Sequence, residues 1–192
     1  MAKKYAFKPD KNGASLLSRL YLTKKQRQSV LKWGLYALVL LVLSVLQDVV
    51  LCRIRIGGAT TELVPCAIFL VCVMEGLEKG SVFALCASLL YLFSGSAPGA
   101  FCVVYITFAA VGVSFLQQSY LQKSFGAALI CTALAMFVYE LAVFITGLFL
   151  QLTLGVRILG FLITAALTCL SIPVLYPVFH AIGKIGGDAW TE

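Results

Sequence analysis

A single acidic residue in the middle of an apolar run is the residue of this sequence best placed to do chemistry. Glu140 lies in the sequence FVYELAVF. A charged carboxylate at the centre of a membrane helix costs about 2.5–3.5 kcal/mol on insertion scales, so it has to be protonated, paired or enclosed in protein. Gly147 follows one heptad later and would let another helix approach closely. We therefore expect Glu140 to face protein, either binding a partner or ligand or making a structural hydrogen bond.

Two further polar residues, Gln47 and Asp48, lie near the end of the first apolar run, in the sequence LQDVVL. Gln47 is the deeper of the two, and an amide within a membrane helix commonly hydrogen-bonds to a neighbouring helix. Asp48 lies nearer the interface, where it could pair with Arg53 or Arg55 in water. Both are candidate residues for partner binding or helix packing.

Small residues recur at every fourth position of the third apolar run, at Gly80, Ala84 and Ser88. This spacing places them on one helix face, and small residues let two membrane helices approach closely. The pattern predicts a helix-packing face. It is common in membrane helices and therefore does not identify a function by itself.

Motifs of catalysis and of metal binding are missing from the sequence. It contains no HExxH, GxSxG or P-loop pattern, and no two carboxylates share one helix face. The seven cysteines form no CxxC pair, and His180 is the one histidine. Nucleophilic catalysis needs a nucleophile with a base close by, so we expect a protein that is not an enzyme and has no cofactor or metal.

The composition of the chain is that of a membrane protein, so we expect membrane helices to position the candidate residues named above. Of 192 residues, 61% are hydrophobic and 12% charged, against roughly 45–50% and 25% in soluble domains. The apolar runs are continuous, whereas strands of a membrane barrel alternate. We therefore predict an all-α membrane protein of about six transmembrane helices in one bundle. The predicted spans are 34–51, 63–74, 81–93, 100–116, 127–152 and 158–182.

The second and third runs are short for independent spans, since crossing a bilayer takes about 20 residues. The polar turn 75–80 joins them, so they could form a tilted or partly re-entrant helical hairpin.

The distribution of charge predicts the orientation. The chain carries a net charge of +7, and nine of its fifteen Lys and Arg residues precede Trp33. With the N-terminus inside the cell, twelve basic residues are cytoplasmic and three are outside, as the positive-inside rule requires. We expect both termini to be cytoplasmic. The basic tail would attract anionic lipid and not nucleic acid.

Three regions follow from this pattern. Residues 1–32 form a basic cytoplasmic tail, in which 14–30 are either an interfacial amphipathic helix or a solvated segment that only sets the orientation. Residues 33–185 form the membrane domain. Residues 186–192 form a short cytoplasmic C-terminus.

The order of these features resembles the MreD family of bacterial rod-shape-determining membrane proteins. The resemblance covers residues 34–182 and is carried by short motifs between and within the helices. These motifs are Leu46-Gln47 at the end of the first helix, Pro65 leading the second, the Glu-Gly…Lys-Gly turn at 75–80, Ser94-Gly95, Gly99 and an acid in the fifth helix. One departure is Tyr91, where family members often have an acid before the Ser-Gly turn, and this departure puts any role of that acid in doubt here.

The resemblance implies a non-enzymatic component of the cell-wall elongation machinery in the bacterial inner membrane. Such a protein would bind MreC and other elongation proteins, and would help couple MreB filaments to peptidoglycan synthesis and control rod shape.

A second class of protein has a similar size and fold, namely the substrate-binding S components of energy-coupling-factor vitamin transporters. These proteins bind a vitamin in an outward cavity and often dock through an AxxxA pattern on the first helix. Here that helix reads GLYALVLLVLS and has no AxxxA. The outer loops also offer few groups to hold a vitamin, so this class is the alternative.

Overall fold

The structure, a computed structural model, describes residues 24–53, 59–120 and 124–185. Within these ranges the chain is helical throughout, apart from its connections, which confirms the all-α prediction. Short 3₁₀ turns at Leu51–Arg53 and Gly155–Arg157 follow the first helix and precede the last. The six α-helices are α1 (Lys24–Val49), α2 (Leu63–Glu75), α3 (Leu77–Phe93), α4 (Phe101–Tyr120), α5 (Phe125–Phe149) and α6 (Ile158–Gly183).

Four of the helical segments are long and apolar enough to cross a membrane, and large apolar side chains such as Phe108 and Leu170 are exposed on them. The chain is therefore a membrane protein. The six predicted helices are all present, but α2 has 13 residues and α3 has 17, against about 20 in a typical span. The four segments of spanning length are Gln26–Arg53, Phe101–Ser119, Phe125–Phe149 and Gly155–Gly183.

Helix α2 lies at the centre of the bundle and contacts all five other helices. Every residue from Leu63 to Met74 is buried. A helix of 13 residues is too short to span and leaves the polar groups at its ends at membrane depth, where lipid cannot pair them. The four long helices together with α3 enclose it. The rest of the bundle is thus organised around its shortest helix.

The link between α2 and α3 is a single residue, Gly76, with a φ of +83°, a backbone conformation that favours glycine. The reversal brings Gly80 against α2, where an added Cβ would lie 2.9 Å from the Cα of Cys72. The Cys72 thiol also donates a hydrogen bond to the carbonyl of Gly80 at 3.1 Å. The predicted hairpin is therefore a tightly packed pair of short helices.

The first helix begins earlier than the sequence indicated. It starts at Lys24, so the last nine residues of the predicted tail (24–32) belong to the helix, and Lys32 is buried. Residues 1–23, including most of the predicted amphipathic segment, lie outside the described residues. The predicted C-terminal tail 186–192 and the basic residues Arg55 and Lys123 also lie outside them.

Lys32 is buried because it pairs with Glu75, the last residue of α2. The Lys32 Nζ and the Glu75 Oε1 are 2.6 Å apart, and the two side chains are 8% and 5% exposed. The hydroxyl of Tyr36 donates to the same oxygen at 2.8 Å. The ring of Tyr36 packs against Phe179, with centroids 6.0 Å apart. These contacts join α1, α2 and α6 at what we call the basal end of the bundle; the opposite end is the distal end.

We expect this buried ion pair to be essential for stability. Removing one partner of a buried pair leaves an uncompensated charge and costs about 3–5 kcal/mol. Lys32→Met and Glu75→Gln should each lower the free energy of unfolding by about that amount, and the double variant should lose less than the sum. The measurement is unfolding of the purified protein in detergent micelles, followed by circular dichroism. Glu78→Gln, at an exposed position of α3, is the matched control, and equal effects of Glu75→Gln and Glu78→Gln would contradict the assignment.

Candidate functional site

The short length of α2 places its first residues inside the bundle and not at its surface. Thirteen residues of helix rise roughly 20 Å, whereas a bilayer core is about 30 Å thick. Glu62, just before α2, donates its backbone N–H to the Thr168 Oγ1 at 3.1 Å. Thr168 lies ten residues into α6, about 15 Å from the distal start of that helix. Residues 59–62 therefore enter the bundle as non-helical backbone.

Two side chains from neighbouring helices satisfy the first backbone donors of this segment. The Oε1 of Gln47 accepts a hydrogen bond from the backbone N–H of Val64 at 3.0 Å, and Thr168 accepts that of Glu62. The first N–H groups of any helix lack partners within it, and here lipid surrounds the bundle. Gln47 thus bonds across to a neighbouring helix and holds the start of α2.

Glu140 lies inside the bundle, on α5, and only 3% of it is exposed. It is close enough to Glu62 for the two carboxyl groups to interact electrostatically. The hydroxyls of Tyr91 and Tyr139 lie beside Glu62 as well. Glu62 precedes α2 and is not part of a spanning helix. Burial raises the pKa of its carboxyl group above the usual range. Two acids from separate parts of the chain therefore meet in one place.

Both acids line a distal cavity, which has a volume of about 710 Å³ and lies between α5, α6 and residues 59–62. Irregular backbone is tolerated at membrane depth only where protein buries it or where it lines a water-filled cavity, and the segment before α2 meets this requirement. The polar residues of the wall are Thr60, Glu62, Glu140, Thr153, Arg157 and Thr164.

Three buried oxygen atoms of this wall have no hydrogen-bond partner within the described residues. They are the Oε2 of Glu62, the Oε1 of Glu140 and the Oγ1 of Thr153. Buried polar atoms in proteins are rarely left unpaired, and each exception needs an explanation. Their presence on one wall makes the distal cavity the candidate functional site.

Gly147 shapes this wall in a way that the sequence did not indicate. A Cβ at Gly147 would lie 2.8 Å from the Oγ1 of Thr153. The backbone N–H groups of Leu152 and Thr153 both donate to its carbonyl, at 2.8 and 3.2 Å. The small residue thus admits the returning chain that follows α5, whereas the sequence suggested the approach of another helix.

The other predicted residues lie away from the cavity wall. Asp48 accepts a hydrogen bond from the hydroxyl of Ser96, and within the described residues it forms no ion pair with Arg53. Gly80, Ala84 and Ser88 are buried on α3.

Glu62 is not among the site residues predicted from the sequence, because 78 positions separate it from Glu140 and it precedes the predicted span 63–74. The signal that could have found it is the short apolar run that follows, which is too short to carry Glu62 to the surface. It also missed the pairing of Lys32 with Glu75, since both residues were assigned to polar segments outside the membrane.

Side chains that could hold a metal do not gather anywhere in the described part of the chain, where no group of three or more His, Cys, Asp or Glu residues is found. Two carboxyl groups and several threonines can instead accept hydrogen bonds and balance positive charge. No family model, curated protein or solved structure matches this chain.

We expect the amide of Gln47 to hold the start of α2 in place. Gln47→Leu leaves the Val64 N–H buried without an acceptor, which costs about 1–3 kcal/mol. The free energy of unfolding of the variant, measured by denaturant titration in detergent micelles, should be lower than that of the wild type by this amount. Gln118→Leu, at an exposed position of α4, is the control and should behave as the wild type. Equal stability of the Gln47 variant and the wild type would show that the bond does not support the helix.

Proposed function

We propose that this chain is a non-enzymatic membrane scaffold of the bacterial cell-wall elongation machinery, similar to MreD. In this role it binds MreC and other elongation proteins in the inner membrane, with both termini in the cytoplasm.

The observation that carries the proposal is where the motifs of the resemblance lie in the fold. They occupy the joints that set the path of the chain. Gln47 holds the start of α2, Gly76 makes the reversal to α3, and Gly80 packs on Cys72. Gly95, after α3, has a φ of +79°. Because these residues determine how the helices connect, their order along the chain supports the resemblance to the MreD family on which the proposal rests.

The surface of the bundle is compatible with a scaffold. Large apolar side chains are exposed along α1, α4, α5 and α6, while the ionisable groups within the bundle are buried. Association of membrane helices depends on close packing and on hydrogen bonds between them. A partner helix could therefore pack on this surface without exposing a charge to lipid.

A second candidate function is that of a transporter S component, and the distal cavity favours it. A volume of about 710 Å³ falls within the range of small-molecule sites, roughly 300–1,000 Å³. The first helix nevertheless lacks the AxxxA docking pattern. We therefore keep the scaffold as the primary proposal.

Co-purification from native membranes distinguishes the two candidates. The tagged full chain should bring down cell-wall elongation proteins, and a tagged, unrelated polytopic protein from the same membranes serves as the control. Depletion should change cell width or shape, with normal vitamin uptake, and a wild-type copy should restore the shape. Recovery of transporter ATPases in place of cell-wall proteins, together with saturable vitamin binding by the purified chain, would contradict the scaffold proposal.

A further inference from the structure

The distal cavity is partly open to the surface at the exposed residues Val156 and Arg157. Its volume of about 710 Å³ lies within the range of small-molecule sites, roughly 300–1,000 Å³. It also has room to spare on α6, since a Cβ placed at Gly160, on its wall, would meet no atom within 4 Å. A space of this size inside a small bundle is large enough for a molecule of ten or more non-hydrogen atoms.

The unpaired atoms of the wall define what the cavity lacks. Two of them are carboxylate oxygens, of Glu62 and Glu140, which can only accept hydrogen bonds when ionised. The third, of Thr153, can donate or accept. The Glu140 oxygen needs a donor from an occupant, and a donor to the Glu62 oxygen would add to the hydroxyls of Tyr91 and Tyr139 beside that carboxyl.

The charges of the wall define the sign of the occupant. Glu62 and Glu140 place two carboxyl groups on the wall of the cavity. Arg157 is the basic residue on the described part of this wall, and its side chain is exposed. Two nearby carboxylates repel each other, and a cation between them relieves the repulsion. A protonated primary amine provides one positive charge and three N–H donors, which matches the deep part of the wall. The guanidinium of Arg157 suits an anionic group.

We propose that the distal cavity binds a small organic ammonium compound, with the protonated amine between Glu62 and Glu140 and an anionic group, where the compound has one, towards Arg157. A bare metal ion would leave most of the cavity empty and would find few ligands there. The proposal goes beyond the scaffold role and does not depend on it, because it rests only on the wall of the cavity. Failure to bind an amine would leave the co-purification test unaffected.

Three compounds of matched length test the proposal. The probes are 6-aminohexanoate, which has both charged groups, 6-aminohexanamide, which keeps only the amine, and hexanoate, which keeps only the carboxylate. A ligand that binds the folded state raises its stability by mass action. Both amines should therefore raise the unfolding temperature of the purified full chain in lipid nanodiscs, saturably and at constant ionic strength. Hexanoate should not.

Two kinds of variant locate the effect. Glu62→Gln and Glu140→Gln should each weaken binding of the amines at least tenfold, whereas Glu78→Gln should not. Gly160→Leu fills the cavity and leaves both acids in place, so it should also weaken binding tenfold. Gly112→Leu is its matched control, because Gly112 on α4 likewise has open space around it and does not line the cavity.

Several results would overturn the proposal. One is the absence of any shift with either amine at tens of millimolar. Another is an equal shift with hexanoate, or a shift that persists in Gly160→Leu and in both glutamate variants. A saturable shift with sodium or calcium ions in place of the amines would assign the site to an inorganic cation.

Discussion

Complete burial of α2 is the constraint on which the other features of this bundle depend. Twelve successive residues of this helix are buried, and its side chains are too apolar to face water at any point. Lipid cannot pair the polar groups at the ends of a helix too short to span, and the apolar side chains between these ends gain from close packing with neighbouring helices. The other five helices all contact α2, so their arrangement follows from the need to surround it.

The two ends of α2 are polar and are accommodated in opposite ways. At the basal end the Glu75 carboxyl is paired, with Lys32 and Tyr36 both on its Oε1. At the distal end the backbone is satisfied by Gln47 and Thr168, but the Glu62 carboxyl retains an unpaired oxygen. The basal end is thus a closed structural contact, whereas the distal end is open to a ligand.

Much of the fold could be predicted from the sequence, because long continuous apolar runs leave little alternative to membrane helices. The short second and third runs were recognised as well, and the interior position predicted for Glu140 agrees with its burial. The cavity could not be predicted, since it depends on how far α2 reaches into the bundle and on which helix lies next to it. The Lys32–Glu75 pair was missed for a related reason: a count of charges assigns each lysine to a membrane side without indicating which acid it meets.

The meeting of Glu62 with Glu140 inside the bundle is the most direct consequence of a short, enclosed α2. It can be measured by cross-linking a Glu62→Cys/Glu140→Cys pair with a short bifunctional thiol reagent, after replacement of the seven native cysteines. The control pairs Glu62→Cys with Leu141→Cys, which is next to Glu140 on α5 and exposed. We expect an intramolecular cross-link, detected by intact mass, in the first pair and not in the second. Two results would contradict the proximity of Glu62 and Glu140. One is that each cysteine of the first pair reacts with a separate reagent molecule and no cross-link forms. The other is equal cross-linking in the two pairs.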